Sequence, residues 1–170
     1  MVKKLYFHKY NFLFANKPTL ELLKMGIEIF RDLLAQNILS CSFSLNMVNS
    51  ENISKSLNDN TSSVGFIYRH IGETMLMFGY FFDKLSEVQN TTLGKKDEGQ
   101  GNDIEESRKL IDEGFKMLEE IIETTPASEW SDIIETPFFG AVSKVRLFSH
   151  ILYHNSYHSG QIALAIRRGV

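Results

Sequence analysis

The last segment of this 170-residue chain repeats apolar side chains at Leu147, Ile151, Ile162 and Ala165, and two histidines, His154 and His158, fall on the same face between them. Apolar residues that return every three or four positions form one stripe along an α-helix, because a helix turns about 100° per residue. Such a stripe is stable only when other elements cover it, so this segment has to be one helix of a larger packed unit. Ser143 is placed to cap its start. Arg167 and Arg168 suit the negative end of its dipole, and Gly169 falls where a left-handed cap would stand.

Three more segments carry the same period. From Pro18, PTLELLKMGIEIFRDLLAQ places Leu20, Leu23, Ile27, Phe30 and Leu34 on one stripe. Tyr10 to Ala15 is also compatible with helix, entered through a kink at Pro18. Residues 37–60 are rich in Ser and Asn, which compete for backbone hydrogen bonds, and read as a connection with at most one short helix. Thr61, Ser62 and Ser63 offer capping hydroxyls to a helix whose buried face is Val64, Ile67, Ile71, Phe78 and Leu85, running to about Gln89. The stretch NTTLGKKDEGQGN lacks periodicity and reads as an exposed loop. Asp103 and Glu106 have capping-box spacing ahead of Ile104, Ile111, Phe115, Leu118 and Ile122, and Pro126 ends that helix. WSDIIETPFFGAVS, with Pro137 and Gly140, reads as an irregular or extended link. The expected fold is all-α: one domain over residues 1–170, a four-helix bundle with a long irregular connection after the first helix.

Composition narrows the function. A net charge of -3 leaves no basic face broad enough for a phosphate backbone, so no nucleic-acid partner is expected. Cys41 is the only cysteine, which rules out an intrachain disulfide and a thiolate metal cluster and suits a reducing compartment. His8, Lys9, Tyr10 and Asn11 interrupt any secretory apolar core near the start, and no stretch reaches the roughly 18 apolar residues of a membrane span. A soluble, cytoplasmic protein with no membrane partner is the expectation.

The chemistry concentrates in the histidines. His154 and His158 lie about 40° apart around a helix and about 6 Å along it, so both imidazoles can converge on one ion. The spacing also arises by chance, which leaves a pair of packed histidines as the alternative. Their place on an apolar stripe argues for an inward orientation, and buried imidazoles need partners. His70, in IYRHIGETML beside the buried stripe of the second helix, offers a third ligand. Three imidazoles leave coordination positions open, as in catalytic zinc sites, and suit one divalent ion such as Zn, Ni, Fe, Mn or Cu.

Rival motifs are absent. Asn155 follows His154 where a zincin needs glutamate, no histidine has a glutamate three residues before it as di-iron bundles require, and no G-x-S-x-G supports a serine nucleophile. Glu73, one turn after His70, can orient a ligand imidazole or shuttle a proton, or else be a solvated helix residue. His150, one turn before His154, reaches the same cavity or packs at its rim, and Gln161 is a further candidate neighbour of the ligands. Gly160 leaves room for a substrate or a closely packed helix. Tyr68, Tyr80, Phe81, Phe82 and Tyr153 are candidate pocket aromatics, with core packing as the commoner role.

SSVGFIYRHIGE and HILYHNSYHSGQI resemble the two signatures of the DinB-like (DinB/YfiT) metal-binding four-helix bundles. His70 matches the lone histidine of the first signature, and His154 and His158 match the pair of the second. Ser159, Gly160 and Gln161 match its tail, with Ser159 where arginine is more usual. YNFLFANKPTLELL resembles the family's first helix, with Phe12 or Phe14 in place of a tryptophan. The resemblance implies a divalent-metal site at His70, His154 and His158 and often a homodimer. It also points to thiol-dependent transfer or isomerisation, with bacterial low-molecular-weight thiols as co-substrate. Loss of the arginine removes a contact to an anionic ligand, for which Arg69, Arg146 and Arg167 are candidate substitutes. The expected function is therefore a metal-dependent enzyme in which a thiol meets a small electrophilic substrate, with no catalytic residue assigned beyond the ligands. The alternatives are a hydrolase using metal-activated water, or a non-catalytic metal- or ligand-binding dimeric bundle.

Overall fold

Four amphipathic segments and one short extended link assemble into a helical bundle that carries a hairpin. The computed structural model describes the chain from Lys17 onward, with side chains from Gly26. The elements are α1 (Lys17–Leu45), α2 (Val64–Gly79), α3 (Ile104–Thr124), β1 (Ile133–Thr136), β2 (Gly140–Ser143) and α4 (Lys144–Arg168). The fold is all-α apart from β1 and β2, which pair antiparallel with Ile133 opposite Ser143 and Thr136 opposite Gly140. α2 packs against α3 and α4, and α1 against α4 and α3. Ile71, Met75, Leu118, Ile121, Leu147, Phe148, Ile151 and Ile162 fill the space between them. Tyr10 to Ala15 and the side chains of Leu20 and Leu23 lie outside the described residues.

Three caps behave as their sequences direct. Ser63 accepts from the Phe66 amide, Asp103 from that of Glu106 and Ser143 from that of Arg146, each satisfying an amide that the first turn leaves free. Gly169 departs from the expected left-handed cap: its φ is -77°. Its glycine answers a close approach instead, because a Cβ there would lie 2.5 Å from the Ala165 carbonyl oxygen and 2.6 Å from that of Ser56.

Two helix boundaries differ from the periodicity. α1 continues to Leu45, through nine residues whose Ser and Asn content argues for a connection. Tertiary bonding to α4 overrides that propensity. Buried Asn37 donates to the Leu152 carbonyl at 2.8 Å and to Ser156 Oγ at 2.9 Å, and the Ser44 and Ser159 hydroxyls meet at 2.8 Å. α2 is shorter than expected. A 3-10 turn over Tyr80–Phe82 leads to Asp83 in the left-handed region, where amides of Asp83 and Lys84 bond the carbonyls of Tyr80 and Gly79. This paired pattern closes a helix, so the chain leaves the stripe before Leu85, which is 84% exposed rather than buried. The link before α4 is the β-hairpin, more regular than expected.

Gly72 sets the distance between α2 and α3. A Cβ there would come within 2.8 Å of the Ile111 amide nitrogen and of Leu110 Cβ, and backbone cannot swing aside as a side-chain tip can. Gly72→Ala should therefore cost about 1–3 kcal/mol or more, as overpacking of a close contact does. Urea unfolding of the two proteins checks this, and equal midpoints would show that the helices separate freely.

Candidate metal centre

Packing of α2 against α4 brings His70 across from His154 and His158. One ring nitrogen from each lies within 4.8 Å of the others. Nε2 of His70 and Nε2 of His154 are 3.1 Å apart. Ligands of one tetrahedral ion, each about 2.0–2.1 Å from it, stand roughly 3.3 Å apart, so the spacing fits a shared cation. The rings are tilted or edge-on to one another, with centroids 4.3 to 5.0 Å apart, rather than stacked.

Burial removes the protons that would block such a site. It pushes His70 down to about 4, with neighbouring His158 adding repulsion and Glu73 opposing. It pushes His154 down to about 3, reinforced first by His158 and then by His70 and His150. His158 is lowered by burial too, against a hydrogen bond to Gln161. At neutral pH all three rings are uncharged, the form a metal ligand requires.

The outer nitrogens are held unequally. His158 Nδ1 lies 2.6 Å from Gln161 Oε1, whose amide nitrogen donates to the Tyr157 hydroxyl at 3.1 Å. That orientation makes Oε1 the acceptor and His158 Nδ1 the donor, leaving Nε2 with its lone pair. His70 Nδ1 lies 2.9 Å from Thr92 Oγ1. Among the described residues His154 Nδ1 is buried without a hydrogen-bond partner at bonding distance.

Glu73 is not a solvated helix residue; it is 1% exposed. Its carboxylate takes bonds from Arg69, Thr91 and Thr92 and does not meet a ligand imidazole directly. Burial pushes its carboxyl upward, but those donors outweigh it and hold the group below the usual range. His150 lies outside the group of three, its ring 4.5 Å from that of Phe139 and 5.7 Å from that of Phe78. Thr91 and Thr92 escaped the sequence reading, because two threonines in an aperiodic loop carry no pattern that marks them. That loop is only partly exposed: Thr92 and Gly101 are buried.

A cavity of about 410 Å³ opens beside His70 and His158. Phe66, Ile67, Leu93 and Ala165 give it apolar walls, Thr92 and Gln161 add polar atoms, and among the described residues no carboxylate, lysine or arginine lines it. A larger depression, about 610 Å³, lies at the start of α3 around Asn102 and Arg108, away from the histidines and open to solvent. None of Tyr68, Tyr80, Phe81, Phe82 and Tyr153 lines the cavity; Tyr68 and Phe82 are buried, Tyr80 and Tyr153 exposed.

A family model described as the DinB superfamily matches residues 44–162. The chain belongs to the DinB superfamily. The match takes in all three histidines and leaves out most of α1. No curated protein matches the chain. In this DinB-superfamily chain Ser159, the position where arginine is more usual, is buried against Ser44 and the Cys41 carbonyl and faces α1. None of the candidate substitutes reaches the cavity. Arg69 is paired with Glu73 and Glu106, and Arg146 and Arg167 are exposed. Nothing lies within 4 Å of where a Gly160 side chain would begin, so no described helix packs there.

The histidines give stability a pH dependence with a definite sign. Folded-state values of about 4 for His70 and about 3 for His154 lie below the ordinary 6.5, so the unfolded chain takes up protons first as pH falls. Their contribution is complete above about pH 6.5 and is lost progressively toward pH 4 and below. Urea midpoints of chelator-treated protein should drop between about pH 7.5 and about pH 4.5, and drop less in His154→Leu. Parallel pH profiles would show that His154 does not make the contribution assigned to it.

Proposed function

We propose that the chain is a divalent-metal-dependent enzyme in which His70, His154 and His158 hold one Zn, Ni, Fe or Mn ion, and that it joins a low-molecular-weight thiol to a small electrophile. The observation that carries this reading is the convergence of three uncharged imidazoles, two of which, His70 and His158, border an apolar cavity. A divalent ion held there supplies Lewis acidity, lowering the pKa of a thiol or water that reaches it.

The residues around the cavity favour a thiol over water. Hydrolysis is helped by a general base that takes the proton of the attacking water, and among the described residues no carboxylate lines the cavity. Glu73, the nearest buried carboxylate in sequence to His70, already has donors on both oxygens. A thiol, with an ordinary pKa of about 8.5, gives its proton to solvent without such a base. The sulfur then bonds the electrophilic carbon as the leaving group departs with its electron pair. Phe66, Ile67, Leu93 and Ala165 would bind an uncharged, largely apolar electrophile. With no cation among the described residues of the cavity wall, any carboxylate of the thiol stays toward solvent. A cytoplasmic homodimer completes the proposal, with exposed Leu39, Phe43, Tyr153 and Leu164 on α1 and α4 as surface for that contact.

Untagged protein should carry about one transition-metal ion per chain by elemental analysis, and the triple variant His70→Ala, His154→Ala, His158→Ala none, at unchanged helix content. Turnover of electrophiles by the loaded protein should require added thiol. Thiol-independent turnover would point to the hydrolase, and bound metal without any turnover to a non-catalytic bundle.

A further inference from the structure

Thr92 lies on the loop between α2 and α3, outside the bundle, and contacts both His70 and Glu73. Glu73 Oε1 accepts from Arg69 Nε at 2.6 Å and Thr91 Oγ1 at 2.7 Å, and its Oε2 from the Thr91 amide and Thr92 Oγ1, both at 2.8 Å. A carboxylate offers about four lone-pair sites, so this one is filled and can only accept. The Thr92 hydroxyl has one hydrogen, and the bond to Glu73 uses it. The other acceptor within reach, Asn90 Oδ1 at 3.4 Å, would use it equally. Either way Thr92 Oγ1 turns only lone pairs toward His70 Nδ1, 2.9 Å away, and Thr74 Oγ1 at 3.4 Å is too distant to compete. A lone pair is met by an N–H. His70 must then carry its hydrogen on Nδ1 and present a bare Nε2 to His154 and His158.

We propose that Thr92 is a positioning residue that sets the tautomer and orientation of His70, with Glu73 as the anchor that sets Thr92. Asn90 prepares the arrangement by accepting from the amides of Thr92 at 3.2 Å and Leu93 at 2.7 Å, which shapes the turn. Thr92, Leu93 and Gly94 also line the cavity, so one loop aligns His70 and walls the substrate space. The effect on metal affinity rests on the reading that the histidines hold an ion; the tautomer does not.

The test compares Thr92→Val, which keeps the shape and removes the hydroxyl, with Thr92→Ser, which keeps the hydroxyl. Zn is titrated against a chromophoric chelator, and the ring nitrogens of metal-free, ¹⁵N-histidine-labelled protein are read by NMR. In wild type and Thr92→Ser, His70 should be the Nδ1–H tautomer with equal Zn affinity. In Thr92→Val the tautomers should mix and Zn affinity should fall about 10–100-fold, the usual loss when the hydrogen-bond partner of a ligand is removed. A Thr92→Val protein that keeps the Nδ1–H form and binds Zn within about threefold of wild type overturns the proposal. If wild type binds no Zn, the metal reading fails and the nitrogen spectra alone decide: tautomer mixing on loss of the hydroxyl supports Thr92, and an unchanged spectrum overturns it. Thr92→Ala takes the same comparison if the valine protein does not fold.

Discussion

Close packing of α2 against α3 and α4 is the constraint from which the rest of this structure follows. Gly72 on α2 and Gly114 on α3 remove side chains where the two helices meet, and a Cβ on Gly114 would lie 2.7 Å from Met75 Cε. With α3 held that near on one side, α2 has another side free to face α4, and His70 stands there opposite His154 and His158. Burial of those rings keeps them uncharged. The packing of α2 against α4 thus sets the spacing of the imidazoles, and their burial sets their protonation.

Buried polar groups complete the arrangement, and each must be satisfied for the packing to hold. Asn37, Ser44 and Ser159 stitch α1 to α4 behind the histidine face. Glu73 carries the largest burden, because a buried carboxylate without donors would be very costly. Arg69 neutralises it, and Thr91 and Thr92 tie the α2–α3 loop to it. One acidic side chain therefore fastens a loop, a helix and, through Thr92, a ring of the histidine cluster.

Much of this was legible from residue order. The apolar stripes identify four helices, the caps at Ser63, Asp103 and Ser143 stand where their neighbours imply, and His70, His154 and His158 stand together. The boundaries that escaped are those where local and tertiary preferences oppose each other. Asn37 and Ser44 look like turn residues until α4 supplies their hydrogen-bond partners, and Leu85 looks like core until Asp83 turns the chain away. Glu73 was visible as a candidate, but its action through a loop threonine was not.

The sequence by itself determined the class of fold and the residues able to bind a cation, because helical periodicity and the i, i+4 spacing of His154 and His158 are local properties of one segment. It determined equally that no thiolate cluster could hold the ion, since Cys41 stands alone. Only the tertiary structure decided how far α1 runs, which way Ser159 points, which oxygens anchor His158 and His70, and where an apolar cavity adjoins them. Those features depend on contacts between residues such as Thr92 and His70, 22 positions apart in the chain, and no local pattern encodes a partner at that distance.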